Sequence, residues 1–298
     1  MSSSHTASAI FSSTDATLED KWPCNSKRIA DLATFTIPEI VTGSEGDVEL
    51  GRAMVAAWQK DGMFQVTRTP DEDICEKAAM QASRDFFALP LAKKSTYVSD
   101  LSFAGYVASG EEVTAGEADY SEIFTITKDL PLDEKRVRDG IPCHGPVPWP
   151  SPSFKDALNQ YLSRLGSIGD RLLQLIALGL NLSNMNTLKS IAEDGWHHAR
   201  VLRFPPLSSV TARGIGSHTD YGFLVIATQD DVGGLFIRPP TDGEVRKRNW
   251  LPSESSAGMY EDSEIWNYVK PVPSVLTVFP GDLFQLLTDG ALLSTPHK

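Results

Sequence analysis

The sequence predicts a mainly β fold behind a helical N-terminal region, with a double-sheet sandwich or jelly roll as its core. Three observations predict it. Helical apolar spacing is confined to the earlier part of the chain, the texture changes near residue 199, and beyond it come short β-branched or aromatic runs cut by Gly, Pro and Asp. The 298 residues fit two domains, or one sandwich with a helical lobe.

Each element follows from its residues. The opening "MSSSHTASAIFSSTDATLED" lacks a basic and an apolar region, so it is not a secretory signal, and its acids argue against a transit peptide. Residues 1–33 read as a disordered Ser/Thr-rich arm. The stretch 34–195 reads as helices on a few strands. "DVELGRAMVAAWQKDG" places Leu50, Met54, Val55 and Trp58 at helical spacing and stops at Gly62. Met63–Thr67 then reads as a strand before a turn at Pro70-Asp71. "DEDICEKAAMQASRDFFALP" is a second helix, opened by acids and closed by Pro90. A third starts at Ser151-Pro152, a cap residue followed by proline. Its stripe of Leu158, Leu162, Leu165, Ile168, Leu172 and Leu175 is core packing. In 196–298, "ARVLRFPP", "GIGSHTD", "FLVIATQD", "GGLFIRPP", "SVLTVFPGD" and "LFQLLTDG" read as strands, with Gly233-Gly234 as a hairpin turn.

Composition narrows the function. Hydrophobic content of 41% with 22% charged residues supports a sizeable core. A net charge of −12 argues against a nucleic-acid partner, which needs a basic face, and leaves room for a cationic small molecule. No window has the apolar length of a membrane span. Cys24, Cys75 and Cys143 are too few and scattered for a disulfide framework or zinc knuckle, which makes a reducing, cytoplasmic setting the expectation. No Gly-rich phosphate loop and no nucleophile elbow is present.

One constellation carries chemistry. In "GSHTDYG", His218 and Asp220 stand two apart, so on a strand they share a face and can converge on one ion. His297, in "STPHK", joins them from another run that reads as a turn entering a strand. Two imidazoles and one carboxylate form the facial triad of non-haem Fe(II) oxygenases, which leaves metal positions open for a co-substrate and dioxygen. The bland alternative makes His297 a turn histidine and Asp220 the opener of an Asp220-Tyr221-Gly222 turn. His197 and His198 are adjacent and face opposite ways on a strand, so one of them reads as a supporting or core group. His144, in "CHGPVPWP", reads as structural.

Across "GSHTDYG…LVIATQDDVGGLFIRPP…VFPGD…LLSTPHK" the chain resembles the 2-oxoglutarate/Fe(II)-dependent dioxygenases of the isopenicillin N synthase-like group. "SDLSFAGYVASGEEVTAGEADYSEIFTI", "PCHGPVPWP", "DGWHHARVLRFPP" and "RNWLPSESSAGM" extend the likeness to the microbial ethylene-forming branch, over nearly everything from residue 34 on. The resemblance implies a double-stranded β-helix core, with His218, Asp220 and His297 on iron. It implies Arg200 beside the co-substrate and substrate, where its cationic fork suits a carboxylate. Leu235 and Phe279 would line the 2-oxoglutarate pocket, although as apolar strand residues they are core by default. Glu112, Thr114 and Tyr221 would meet L-arginine, with Glu112 pairing to its guanidinium. Without the resemblance, Glu112 reads as a solvated loop acid. The implied reaction uses Fe(II), 2-oxoglutarate and O2, with ascorbate as a supportive reductant. It fragments 2-oxoglutarate to ethylene and CO2, or decarboxylates it to succinate while hydroxylating L-arginine.

The family pattern also places an arginine on the strand after the distal histidine, gripping the far carboxylate of 2-oxoglutarate. The sequence ends at Lys298, before that position, so the expectation is a C-terminally truncated enzyme whose last jelly-roll strands are missing and whose turnover is weak. Two alternatives remain at this point: a 2-oxoglutarate hydroxylase of another small molecule, and an inactive relative acting as a binding module. A monomer is expected.

Overall fold

The computed structural model describes residues 28–195, 197–206, 213–246, 257–258 and 260–298. Strand β1 (Thr34–Phe35) precedes helix α1 (Glu45–Asp61). The Ser44 hydroxyl accepts the Asp47 N–H while the Asp47 carboxylate accepts the Ser44 N–H, so each satisfies a backbone donor that the first turn leaves free. Gly62 ends α1 in the left-handed region at φ 73°. Strand β2 (Phe64–Thr67) leads to α2 (Pro70–Phe87), where Thr69 and Glu72 repeat the reciprocal cap. Next come α3 (Leu91–Lys94), β3 (Val98–Ser99), β4 (Ala104–Val107), β5 (Val113–Thr114), β6 (Glu117–Ala118), β7 (Glu122–Ile126) and α4 (Lys135–Arg138). The long α5 (Pro152–Gly179) starts at the Ser151 cap, and α6 (Thr187–Ala192) follows. The last part holds β8 (Ala199–Arg203), β9 (Leu224–Ala227), β10 (Phe236–Ile237), β11 (Asn267–Tyr268), β12 (Val275–Pro280) and α7 (Asp282–Leu287).

Two layers form the barrel. The first is the sheet β1-β2-β12-β9, antiparallel except for the β1–β2 pair. The second is built from β10 and β11, with His297 bridging both His218 and Ile237, and Ile29 bridging Tyr268 at the far edge. Alternation sorts the first sheet's side chains. Phe64, Val66, Leu276 and Val278 are buried on the side of α1 and α5, in one cluster with Met54, Trp58, Ile168, Leu172 and Leu175. Met63 and Phe279, their neighbours in sequence, turn inward and pack with Ile237 and Val269 between the layers. A further four-stranded sheet, β3-β4-β7-β8, packs its Ala104, Tyr106, Phe124 and Ile126 against Phe86 of α2 and Phe154 and Leu158 of α5.

The jelly-roll core stands, but the content is mixed rather than mainly β, because the strands are short and α1, α2 and α5 are long. "LFQLLTDG" is not a strand. Asp282–Leu287 is helix α7, with the fully buried Phe284 stacked on Phe223 and edge-on to Trp58. Four apolar residues cannot distinguish the two periods, and packing decides. Gly233 and Gly234, at φ 76° and 118°, do not close a hairpin, since β9 pairs with β12 while β10 pairs with β11. They carry the chain from one layer to the other. Only His218 of "GIGSHTD" bridges another strand. Ile29 and Ala30 of the expected arm are tied to Tyr268, while Cys24 lies outside the described residues. The halves 34–195 and 196–298 also interleave: β2 joins β12, and β8 joins β7.

Helices α1 and α5 meet backbone to backbone. A Cβ on Gly51 would stand 2.1 Å from the Leu175 carbonyl oxygen, and one on Gly179 would stand 2.3 Å from that of Gly51. Alanine at position 51 would gain about 1 kcal/mol of helix propensity. It would also meet a backbone atom that cannot swing aside, and overpacking costs about 1–3 kcal/mol or more. The expected net result for Gly51→Ala is a lowered melting temperature by calorimetry, opposite in sign to the propensity scale.

Candidate metal centre

The centre starts from one backbone pair. His218 N–H donates to the His297 carbonyl at 3.1 Å, and His297 N–H returns the bond to His218 at 2.9 Å. Residues exchanging both bonds sit directly opposite each other in an antiparallel ladder and project to the same face. Their ring centroids are accordingly 4.3 Å apart. Nδ1 of His218 lies 2.8 Å from the Gly216 carbonyl, and Nδ1 of His297 lies 3.0 Å from that of Thr295. A carbonyl only accepts, so each Nδ1 carries the hydrogen and each Nε2 keeps its lone pair. Burial and the neighbouring His297 push His218 below the ordinary imidazole range, against the pull of Asp220, and so favour the neutral, ligating form.

Asp220 completes the set. Its two carboxylate oxygens lie 3.7 Å from Nε2 of His218 and 3.7 Å from Nε2 of His297. Among the described residues, His218, Asp220 and His297 are the group of three able to hold a metal, with their donor atoms all within 4.8 Å of one another. Metal bonds of about 2.1 Å let one ion reach donors about 4 Å apart, so both 3.7 Å spacings already suit it. Two neutral imidazoles and one carboxylate are the donor set of a non-haem Fe(II) site.

The loop carrying Asp220 is held by the start of α7. Asp282 N–H donates to the Asp220 carbonyl at 2.8 Å, and Gly281 N–H donates to that of Phe223 at 3.2 Å. A Cβ on Gly281 would stand 2.2 Å from the Gly222 carbonyl oxygen, so this approach needs glycine. The His297 segment is pinned as firmly. The Thr295 hydroxyl donates to the Gly62 carbonyl at 2.6 Å, and Ser294 N–H donates to Oε1 of Gln285 at 2.9 Å. Arg246 donates to the Ser294 carbonyl and to Glu244, which also accepts from Arg238 at 2.8 Å. Burial works against the Glu244 charge, yet the two arginines hold its pKa down to about 2.

The hairpin β5–β6 is tied to the backbone just before His218, through Asp119 to Gly216 and through the Thr114 carbonyl to Arg213. Glu112 pairs with Arg200 of β8 at 2.5 Å, so the two expected contact residues meet each other. Thr114 donates its hydroxyl to Asp119, which is only 1% exposed. Asp119 also accepts the Gly216 N–H at 2.9 Å and faces Arg213 at 3.4 Å. Phe279, 2% exposed, has its ring 4.9 Å from that of His297, and Leu235 packs against the same cluster. Tyr221 is 85% exposed, at the rim rather than against the triad. His197 and His198 are both exposed, so neither is a core group, although Asp220 acts electrostatically on His198. His144 closes a local turn onto the Pro142 carbonyl, as a structural histidine does.

Sequence reasoning missed Asp119, Arg213 and Glu244. An acid in "GEADY" carries no local sign that it will answer the Gly216 N–H 97 residues on. Glu244 has its arginines close by in sequence, but nothing local shows that Arg246 will reach the Ser294 carbonyl 48 residues away. Asp119→Ala is expected to leave the Gly216 N–H and the Arg213 charge unanswered and to cost about 3 kcal/mol in urea unfolding of the metal-free chain. Asp119→Asn, which still offers an acceptor, should cost less. Because Glu244 is depressed from 4.5 to about 2 in the fold, its stabilisation is complete above 4.5 and is lost as pH falls toward 2. That loss amounts to about 3 kcal/mol. Glu244→Gln should flatten the pH dependence of unfolding across this window.

Residues 196–298 match the model of the 2OG-Fe(II) oxygenase superfamily, and residues 29–152 match that of the non-haem dioxygenase in morphine synthesis N-terminal region. The chain is 58% identical, over 91% of its own length and 79% of the relative's, to the 2-oxoglutarate-dependent ethylene/succinate-forming enzyme of Ralstonia nicotianae. It is 27% identical to Homoarginine-6-hydroxylase 2-ODD-C23 of Glycine max, over 85% of this chain and 73% of that one. Its fold matches that of a full-length Neurospora crassa protein solved in complex with alpha-KG at a TM-score of 0.69, with 21% identity over 92% of this chain and 80% of that one. The chain belongs to the 2OG-Fe(II) oxygenase superfamily and is an iron-dependent dioxygenase that uses 2-oxoglutarate and O2, with His218, Asp220 and His297 arranged to hold the metal.

Proposed function

We propose that this dioxygenase forms ethylene and succinate: it converts 2-oxoglutarate and O2 to ethylene and CO2, and it hydroxylates L-arginine while 2-oxoglutarate is decarboxylated to succinate. The observation that carries the reading is an iron triad in a chain that shares more than half its residues with the Ralstonia enzyme. The iron, when bound, supplies the redox centre at which 2-oxoglutarate and O2 react.

The protein's own residues supply position and exclusion. Phe279 and Leu235 form an apolar wall beside His297, which suits a water-poor pocket for the keto acid. The Arg200 guanidinium offers a two-pronged donor to a carboxylate. Because Thr114 spends its hydroxyl hydrogen on Asp119, what it presents outward is acceptor capacity, and Glu112 beside it is an acceptor as well. Such a surface suits a guanidinium and supports L-arginine as the substrate. Tyr221, at the rim, would close over that substrate. The net charge of −12 argues against a nucleic-acid partner, and among the described residues no helix is long and apolar enough to cross a membrane. As proposed, the protein works as a cytoplasmic monomer whose partners are small molecules alone.

A second reading is favoured by one observation. The Glycine max relative is a homoarginine hydroxylase, so a related guanidino amino acid could be hydroxylated here without ethylene release. Incubation with Fe(II), ascorbate and 2-oxoglutarate, with and without L-arginine, separates the outcomes. Arginine-dependent ethylene together with succinate is the expected result. Succinate with no ethylene would favour the hydroxylase, and neither product would favour a binding module. His218→Ala should abolish both products and Fe(II) uptake, and retained activity would overturn the triad.

A further inference from the structure

We propose that Glu261 is a positioning residue for the iron site, acting on His218 through a single peptide group and on the His297 segment through Lys298. The proposal rests on iron being held by His218, Asp220 and His297.

The two imidazoles look equivalent, since each gives its Nδ1 hydrogen to the carbonyl two residues before it. They differ in what stands behind that carbonyl. The Gly216 carbonyl and the Ser217 N–H are two ends of one planar, resonance-coupled amide. The Ser217 N–H donates to Oε2 of Glu261 at 2.7 Å, while the Gly216 oxygen accepts from Nδ1 of His218 at 2.8 Å. A carboxylate at the N–H end shifts electron density toward the carbonyl oxygen and strengthens the bond that oxygen accepts. A stronger acceptor at Nδ1 makes Nε2 a better donor to a metal, as a carboxylate bonded directly to a ligating histidine does. For His297 the corresponding amide joins Thr295 to Pro296, and proline has no N–H through which such an effect could enter. His218 is therefore the imidazole with a carboxylate behind it.

Glu261 is itself held in place. Nζ of Lys298 lies 3.2 Å from its Oε1 and 3.2 Å from its backbone carbonyl, and the same ammonium sits 4.7 Å from the centroid of the Trp266 ring. Lys298 adjoins His297, and its backbone exchanges bonds with Phe236 at 3.0 and 2.8 Å. Gly258 N–H donates to the Ser217 carbonyl at 2.7 Å, so Gly258 and Glu261 hold the two peptide groups that flank the fully buried Ser217. One carboxylate thus braces both strands whose pairing brings the histidines together.

The test is an anaerobic titration of the metal-free full chain with Fe(II) in the presence of 2-oxoglutarate, followed by the visible charge-transfer absorption of the complex. Glu261→Ala should weaken Fe(II) binding about 10–100-fold. Glu261→Gln keeps an acceptor for Ser217 but loses the charge, and should fall between Glu261→Ala and the parent. In the zinc-loaded protein, the His218 Nδ1 proton resonance should move upfield in Glu261→Gln while that of His297 stays in place, which general loosening would not produce. If Glu261→Ala fails to fold, the glutamine variant carries the test alone. Parental Fe(II) affinity in the glutamine variant, or lost affinity with an unmoved His218 resonance, would overturn the proposal. No Fe(II) binding by the parent chain would overturn the iron reading itself, and the proposal with it.

Discussion

The reciprocal backbone bonds between His218 and His297 are the contact on which the rest of the site depends. Neither residue lies in a long strand, and they meet through a single bridge at the edge of the second layer. Because the pairing is antiparallel and directly opposed, it sets the separation and the common face of both imidazoles at once. Asp220 then needs only its place two residues on, and the docking of its loop on α7, to turn its carboxylate between them. A slip of one residue in this pairing would send one ring to the opposite face.

A bridge so short is stabilised from outside. Under it lies the apolar cluster of Met63, Ile237, Val269 and Phe279, which holds the two layers at a set distance. Around it, side chains answer backbone groups: Asp119 takes the Gly216 N–H, Glu261 the Ser217 N–H, and Gln285 the Ser294 N–H. The Thr295 hydroxyl reaches the Gly62 carbonyl at the end of α1. An irregular backbone that carries ligands cannot satisfy its own donors and acceptors through a ladder, and buried groups left unmade cost about 1–3 kcal/mol each. The polar residues near the centre therefore serve its geometry as much as its chemistry. β8 is held in the same manner, since the buried Glu122 of β7 takes Lys94 and Arg203 at 2.5 Å each, three residues along from Arg200.

Legibility in the sequence followed the range of the interaction concerned. Helices α1, α2 and α5 were readable because their signals are local: the apolar spacing from Leu50 to Trp58 and the stop at Gly62, the acids and Pro90 that bound α2, and Ser151 before Pro152. The pair His218 and Asp220 was readable as a spacing. Helix α7 was not, because a short apolar run is a helix here only through Phe284 packing on Phe223 and Trp58. The Gly233-Gly234 turn was located correctly and misassigned in kind, since a turn does not reveal which strands its two arms will pair with. Asp119 and Glu261 were invisible, because each answers the backbone of a segment 97 or 44 residues away.

The amino-acid sequence by itself determined the ligand types, the helical frame, the alternation that divides β9 and β12 between two cores, and the resemblance that names the family. All of these are encoded in neighbours and periods, which act within a few residues. Tertiary structure decided which strands share a layer, that β8 pairs with β7, that Arg200 meets Glu112, and which carboxylate stands behind His218. Those outcomes depend on closing long loops around buried apolar surface, and no short stretch of sequence specifies which distant backbone group will come to rest beside it.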